Sequence, residues 1–148
     1  MKFSKKSRYG LTALIDLSVY SKSGHVALSS IAQRNGISVQ YLEQVFGALR
    51  RAGIIKSVKG PQGGYLLGRS SRCITVAEVI EALEGSYHLA DEIAYEEGGN
   101  AAAASVIQHQ VVETVNAQMD RLLQSITLDD LEREYTNYQS NNETMYYI

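Results

Sequence analysis

The stretch from Leu28 to Leu67 changes its periodicity partway, and that change most limits the folds open to the chain. It reads LSSIAQRNGISVQYLEQVFGALRRAG and then IIKSVKGPQGGYLL. The spacing predicts a short helix capped by Ser29, bearing Ile31 and Ala32 and stopped at Gly36, where glycine adopts a left-handed turn freely. Ser38 caps a second, longer helix whose Leu42, Val45, Phe46 and Leu49 form an apolar stripe and which Gly53 ends. Ile54–Val58 then reads as a strand of β-branched residues, and Tyr65–Leu67 is its partner across KGPQGG. A phosphate-binding loop needs a helix directly after its glycines, whereas these glycines are followed by a strand, so they punctuate a hairpin. Two helices across a glycine turn, with a hairpin behind them, form a winged helix-turn-helix.

The flanks fit around that unit. Before it, SRYGLTALIDLSVYSKSG carries Tyr9, Ala13, Leu14, Leu17 and Tyr20 at helical spacing, opened by Ser7 and closed at Gly24. After it, Thr75 and Glu78 make a capping box before VAEVIEALEG, with Val76, Val79, Ile80 and Leu83 facing inward. Residues 1–85 are therefore expected to form a winged DNA-binding domain, and 86–100 a connector without periodicity. Residues 101–135 then supply a long helix and a short one capped by Thr127, and 136–148 a polar tail. On the long helix, Val111 or Val112, Val115, Met119, Leu122 and Ile126 make a seam spaced for a partner helix, most simply the same helix of a second subunit. The fold class expected is mainly α with a small β-hairpin wing.

Charge is sorted along the chain. Residues 1–72 carry twelve Lys or Arg against two acids, a balance of +10, and residues 73–148 carry two Arg against fourteen acids, a balance of −12. A basic half of this density is the footprint of a polyanion partner. The first turns of the longer helix offer Ser38, Gln40, Tyr41, Glu43 and Gln44 to base edges, since glutamine suits adenine and a carboxylate accepts from cytosine. Lys5, Lys6, Arg8, Arg50, Arg51 and Lys56, with Tyr9 beside them, are expected along phosphates. Lys59 at the wing turn is expected in a minor groove.

Other chemistries lack support. The single cysteine, Cys73, forms no internal disulfide and rules out multi-cysteine metal sites, which agrees with a reducing compartment. His25, His88 and His109 are too far apart to suggest a ligand set, and no nucleophile elbow or apolar acid pair appears. No metal, cofactor or enzymatic activity is expected, nor any membrane span or signal peptide, so the cytoplasm is the expected location. Two other classes stay open: an enzyme that holds a nucleotide on the glycine loop, and an interaction module whose basic half binds RNA or an acidic protein.

The strings SRYGLTALIDL, ISVQYLEQVFGALRRAGIIKSVKGPQGGYLLG and ITVAEVIEALEG resemble the Rrf (BadM-type) family of bacterial winged-helix transcription regulators over roughly the first 85 residues. The resemblance implies a homodimer that crosses its long helices on palindromic double-stranded DNA. It also implies softer minor-groove reading, because Lys59 stands where relatives often have arginine. One branch of the family holds an iron–sulfur cluster on three connector cysteines; SYHLADEIAYEEGGN has none, so cluster sensing does not carry over. SITLDDLEREY and MYYI resemble the cluster-free branch of cysteine-metabolism repressors, which implies cysteine synthase (O-acetylserine thiol-lyase) as a partner. Tyr146, Tyr147 and Ile148 then either enter that enzyme as a peptide mimic or fold back onto the dimer.

Overall fold

The computed structural model describes residues 3–90 and 99–146, with the backbone alone for 143–146. Helices α1 (Lys5–Tyr20), α2 (Leu28–Asn35) and α3 (Val39–Arg51) lead into a hairpin of β1 (Ile55–Val58) and β2 (Gly64–Leu67). A 3₁₀ turn at Ser71–Cys73 precedes α4 (Val76–Glu84). A continuous helix follows, built of α5 (Ala101–Ile107), a π-helical segment (Gln108–Glu113) and α6 (Thr114–Ser125), and α7 (Leu128–Tyr146) ends the fold. Among the described residues no helix is long and apolar enough to cross a membrane.

The expected winged helix-turn-helix is present, with several local differences. Ser4, not Ser7, caps α1 by accepting from the Lys6 N–H at 3.2 Å. Ser7 is buried and donates to Glu84 instead. The helix ends at Tyr20, earlier than the Gly24 stop. Helix α2 starts at Leu28 behind Ala27 with no side-chain cap, so Ser29 is an ordinary first-turn residue. Gly36 ends α2 at φ 63°, as a left-handed C-cap requires. Ser38 caps α3, and Thr75 and Glu78 form the capping box.

The strands pair antiparallel, Ile55 opposite Leu67 and Val58 opposite Gly64, and Val26 adds a bridge to Tyr65. Gly64 makes that bridge possible, because a Cβ there would lie 2.4 Å from the Val26 carbonyl oxygen. The main core gathers Leu14, Leu17, Ile31, Leu42, Phe46 and Leu49 from the first three helices. Burying each of the larger side chains contributes roughly 1.5–3 kcal/mol.

Leu128 joins this core from the far end of the chain, 2% exposed. Two backbone hydrogen bonds hold it there, Val76 N–H to the Ile126 carbonyl at 2.9 Å and Leu128 N–H to the Ile74 carbonyl at 2.8 Å. Thr127 caps α7 reciprocally with Asp130. The short helix expected here is much longer, since α7 continues through residues 136–146 where a polar tail is expected. The connector residues 91–98, and Tyr147 and Ile148 of the tail, lie outside the described residues.

Candidate nucleic-acid interface

Helix α3 buries Leu42, Val45, Phe46 and Leu49, which leaves Gln40, Glu43 and Gln44 exposed on its opposite face. Ser38 accepts from the Tyr41 N–H at 3.2 Å and squares off the first turn. Tyr41 is half-buried because its ring meets Tyr9 edge-on, with centroids 5.7 Å apart. That contact fixes the start of α1 beside the start of α3. Lys5, Lys6 and Arg8 therefore emerge beside the first turns of α3, with the Arg8 guanidinium 4.9 Å from the centre of the Phe3 ring. Arg50 and Arg51 are exposed at the last turn of α3, where cations also favour the helix end.

The wing closes a groove of about 440 Å³ whose walls include Glu43, Ser57, Lys59 and Tyr65. Lys59 and Glu43 thus share one surface. Lys56 does not join them. Successive strand residues project to opposite faces, so Lys56 and its partner Leu66 point away from Ser57 and Tyr65, into a separate groove behind the wing.

Pairing sorts the basic residues of the first half into two groups. Arg34 holds the buried Asp16 with two hydrogen bonds of 2.9 and 2.8 Å and lies 3.9 Å over the Tyr20 ring. The hydrogen bonds to Asp16 hold its guanidinium above the usual value, against the opposing effect of burial. Arg69 pairs with Glu78, Lys22 with Glu132 and, at 3.9 Å, Arg72 with Asp129. Burial would push the Glu78 carboxyl up, but hydrogen bonds from the Thr75 N–H and Arg69 outweigh it and leave the group below its usual range. Lys5, Lys6, Arg8, Arg50, Arg51, Lys56 and Lys59 have no acidic partner among the described residues.

The α5–α6 helix carries two apolar faces where the sequence suggests one seam. Met119 and Ile126, with Leu123, pack on Val76, Ile80 and Tyr87 of their own chain. Val111, Val115 and Leu122 face solvent, 49%, 36% and 60% exposed, and Ile107 continues their line at 55%; Val112 is intermediate. Between them the π-helical segment frees the His109 carbonyl, which accepts from Thr114 Oγ1 at 3.1 Å. Glu113, four residues on, pairs with His109 at 2.8 Å.

Sequence reasoning also misses the pair that pins the connector. Asn116 holds the Leu89 backbone at both its N–H and its carbonyl, at 2.8 and 3.2 Å. Asp120 accepts from Tyr87 and contacts His88 at 2.7 Å. Hydrogen bonds from Tyr87 and then His88 hold the Asp120 carboxyl below its usual range, while burial and then the Asp120 carboxylate push the Tyr87 hydroxyl up to about 12. The only signal for these contacts was the polar Asn116 and Asp120 on a face otherwise apolar.

The family model for Rrf2, described as iron-dependent transcriptional regulator, matches residues 3–134. The HTH-type transcriptional regulator IscR of Klebsiella pneumoniae (strain 342) is 37% identical over 131 residues, 88% of this chain and 79% of its own. Among solved structures, CymR, the global cysteine regulator of B. subtilis, is similar at a TM-score of 0.72 and 36% identity, covering 90% of this chain and 98% of its own. IscR of T. potens is similar at 0.71 and 38%, covering 94% and 91%. The residues here do not fit the iron of the family description. The one cysteine, Cys73, is exposed on the 3₁₀ turn, residues 91–98 add none, and no group of three His, Cys, Asp or Glu among the described residues is placed to hold a metal. The family model and the Klebsiella relative are named as transcriptional regulators, a class without enzymatic activity, and the chain belongs to the Rrf2 family of transcriptional regulators.

Proposed function

We propose that this protein is a homodimeric repressor that reads a palindromic operator of cysteine or sulfur-metabolism genes in the cytoplasm. The observation that carries the DNA contact is the sorting of charge: Lys5, Lys6, Arg8, Arg50, Arg51 and Lys59 border α3 and the wing turn without acidic partners among the described residues, while four other cations of that half have an acid within 4 Å. Unpaired cations release counterions on meeting phosphates, so they position the protein, and Gln40, Glu43 and Gln44 read bases between them. The exposed line Ile107, Val111, Val115 and Leu122 favours a second copy. The cysteine assignment is supported by the likeness to CymR, whose name in B. subtilis is that of a global cysteine regulator. Cysteine synthase is the partner that this assignment carries.

A titration of the protein with duplexes from cysteine and sulfur promoters, against scrambled duplexes at physiological salt and with or without cysteine synthase, tests it. Selective binding altered by the enzyme is expected. Selective binding indifferent to the enzyme leaves a regulator of another signal, and unselective binding removes the operator.

A further inference from the structure

The groove behind the wing is lined by a donor-rich set of side chains with no acid among them. Lys22 and Ser21 come from the end of α1, Lys56 from β1, and Ser70 and Ser71 from the chain after β2, with Ser18 at the base. Leu66 and Leu67 complete the lining, and the volume is about 350 Å³. Liquid water takes ~30 Å³ per molecule, so this volume suits a small metabolite or a hydrated inorganic anion.

The hydrogen bonds already made show what remains free. Glu132 lies behind Lys22, whose ammonium meets both carboxylate oxygens at 2.9 and 3.2 Å and keeps one N–H to offer. Ser18 is spent on Glu132 at 2.8 Å. Ser70 Oγ accepts from the Arg72 N–H, which leaves its O–H to donate. Lys56 keeps all three of its donors. The end of α1 by itself favours a cation, and Lys22 answers that need; Lys56 arrives from another element and is surplus to it.

We propose that this groove binds a small oxyanion, the carboxylate, sulfate or phosphate group of a metabolite, with Lys56 and the free hydroxyls of Ser70 and Ser71 as its principal donors. Charge-assisted hydrogen bonds of this kind are short and strong, and serine hydroxyls turn to suit the oxygens they meet. The site is separate from the α3 face, because Lys56 and Ser57 project to opposite sides of the hairpin.

The test is heteronuclear NMR of the full chain without DNA, titrated at constant ionic strength with sodium phosphate and with sodium acetate, against sodium chloride. Saturable shifts centred on the Lys56, Ser70 and Ser71 amides are expected with one or both oxyanions and not with chloride, and the preferred probe tells phosphate-like from carboxylate ligands. Lys56→Met should weaken that binding about tenfold, the loss of one charge-assisted hydrogen bond. Ser71→Ala should weaken it less and leave the spectrum otherwise intact. Shifts shared with chloride, shifts centred on Ser38–Tyr41 and Lys59, or binding unmoved by Lys56→Met would overturn the site. Because no duplex is present, the outcome does not depend on the operator reading.

Discussion

Asp16 is a carboxylate almost out of solvent, 7% exposed at its side chain, answered by Arg34 and by the Asn35 amide at 3.0 Å. Counted along the sequence, Arg34 adds to the basic footprint; in the fold its charge is absorbed between α1 and α2. That distinction is invisible to composition, because it depends on two residues eighteen positions apart meeting in space. Arg34→Met should cost about 3 kcal/mol in urea unfolding, because a buried charge left alone is penalised more than the pair was worth. Tyr87 gives a pH signature of the opposite kind. Its hydroxyl titrates near 12 in the folded chain against 10.0 when free. A folded value above the unfolded one means stability is complete below 10 and is lost as pH rises toward 12. Tyr87→Phe should flatten the decline in unfolding free energy between pH 10 and about 12, the window set by those two values. An unchanged slope would show that burial and the Asp120 contact do not hold the proton on Tyr87.

At the scale of elements, legibility followed the strength of local chemistry. The hairpin, the Gly36 turn, the Ser38 cap and the Thr75–Glu78 box were readable because glycine freedom and capping act within a few residues. The start of α2 was not, since Ala27 leads into it without a side-chain bond and Ser29 mimics a cap one step too late. The length of α7 was hidden as well: TNYQSNNETMY shows no apolar period, and its helix is exposed over residues 136–142, so no buried stripe announces it. The wing itself hangs on the Val26–Tyr65 bridge, with bonds of 2.9 and 2.8 Å. Gly64→Ala would drive a Cβ onto backbone atoms that cannot yield cheaply. It should destabilise the wing by about 1–3 kcal/mol. Hydrogen exchange at the Tyr65 amide should accelerate accordingly, and protection equal to the parent chain would refute that role for the bridge.

For the whole molecule, the long helix carries two apolar faces, one packed and one exposed. Its Met119, Leu123 and Ile126 pack within their own chain, while Val106, Ile107, Val111, Val115 and Leu122 stay exposed. The sequence pattern showed apolar residues at partner spacing; it could not divide them, because the division depends on where α4 and Tyr87 lie. Val115→Asp with Leu122→Asp should give a folded monomer in sedimentation, whereas Met119→Asp should unfold the chain. A dimer surviving the double substitution would place the second copy elsewhere. The stitches at Ile74, Val76, Ile126 and Leu128 have a further consequence. They tie the start of α4 to the junction of α6 and α7, so the long helix is fixed directly to the unit that carries α3. In the proposed dimer two such units, joined back to back, would act as a caliper with a set jaw width. Half an extra helical turn of DNA, about five base pairs between half-sites, should therefore abolish binding that a flexible tether would tolerate.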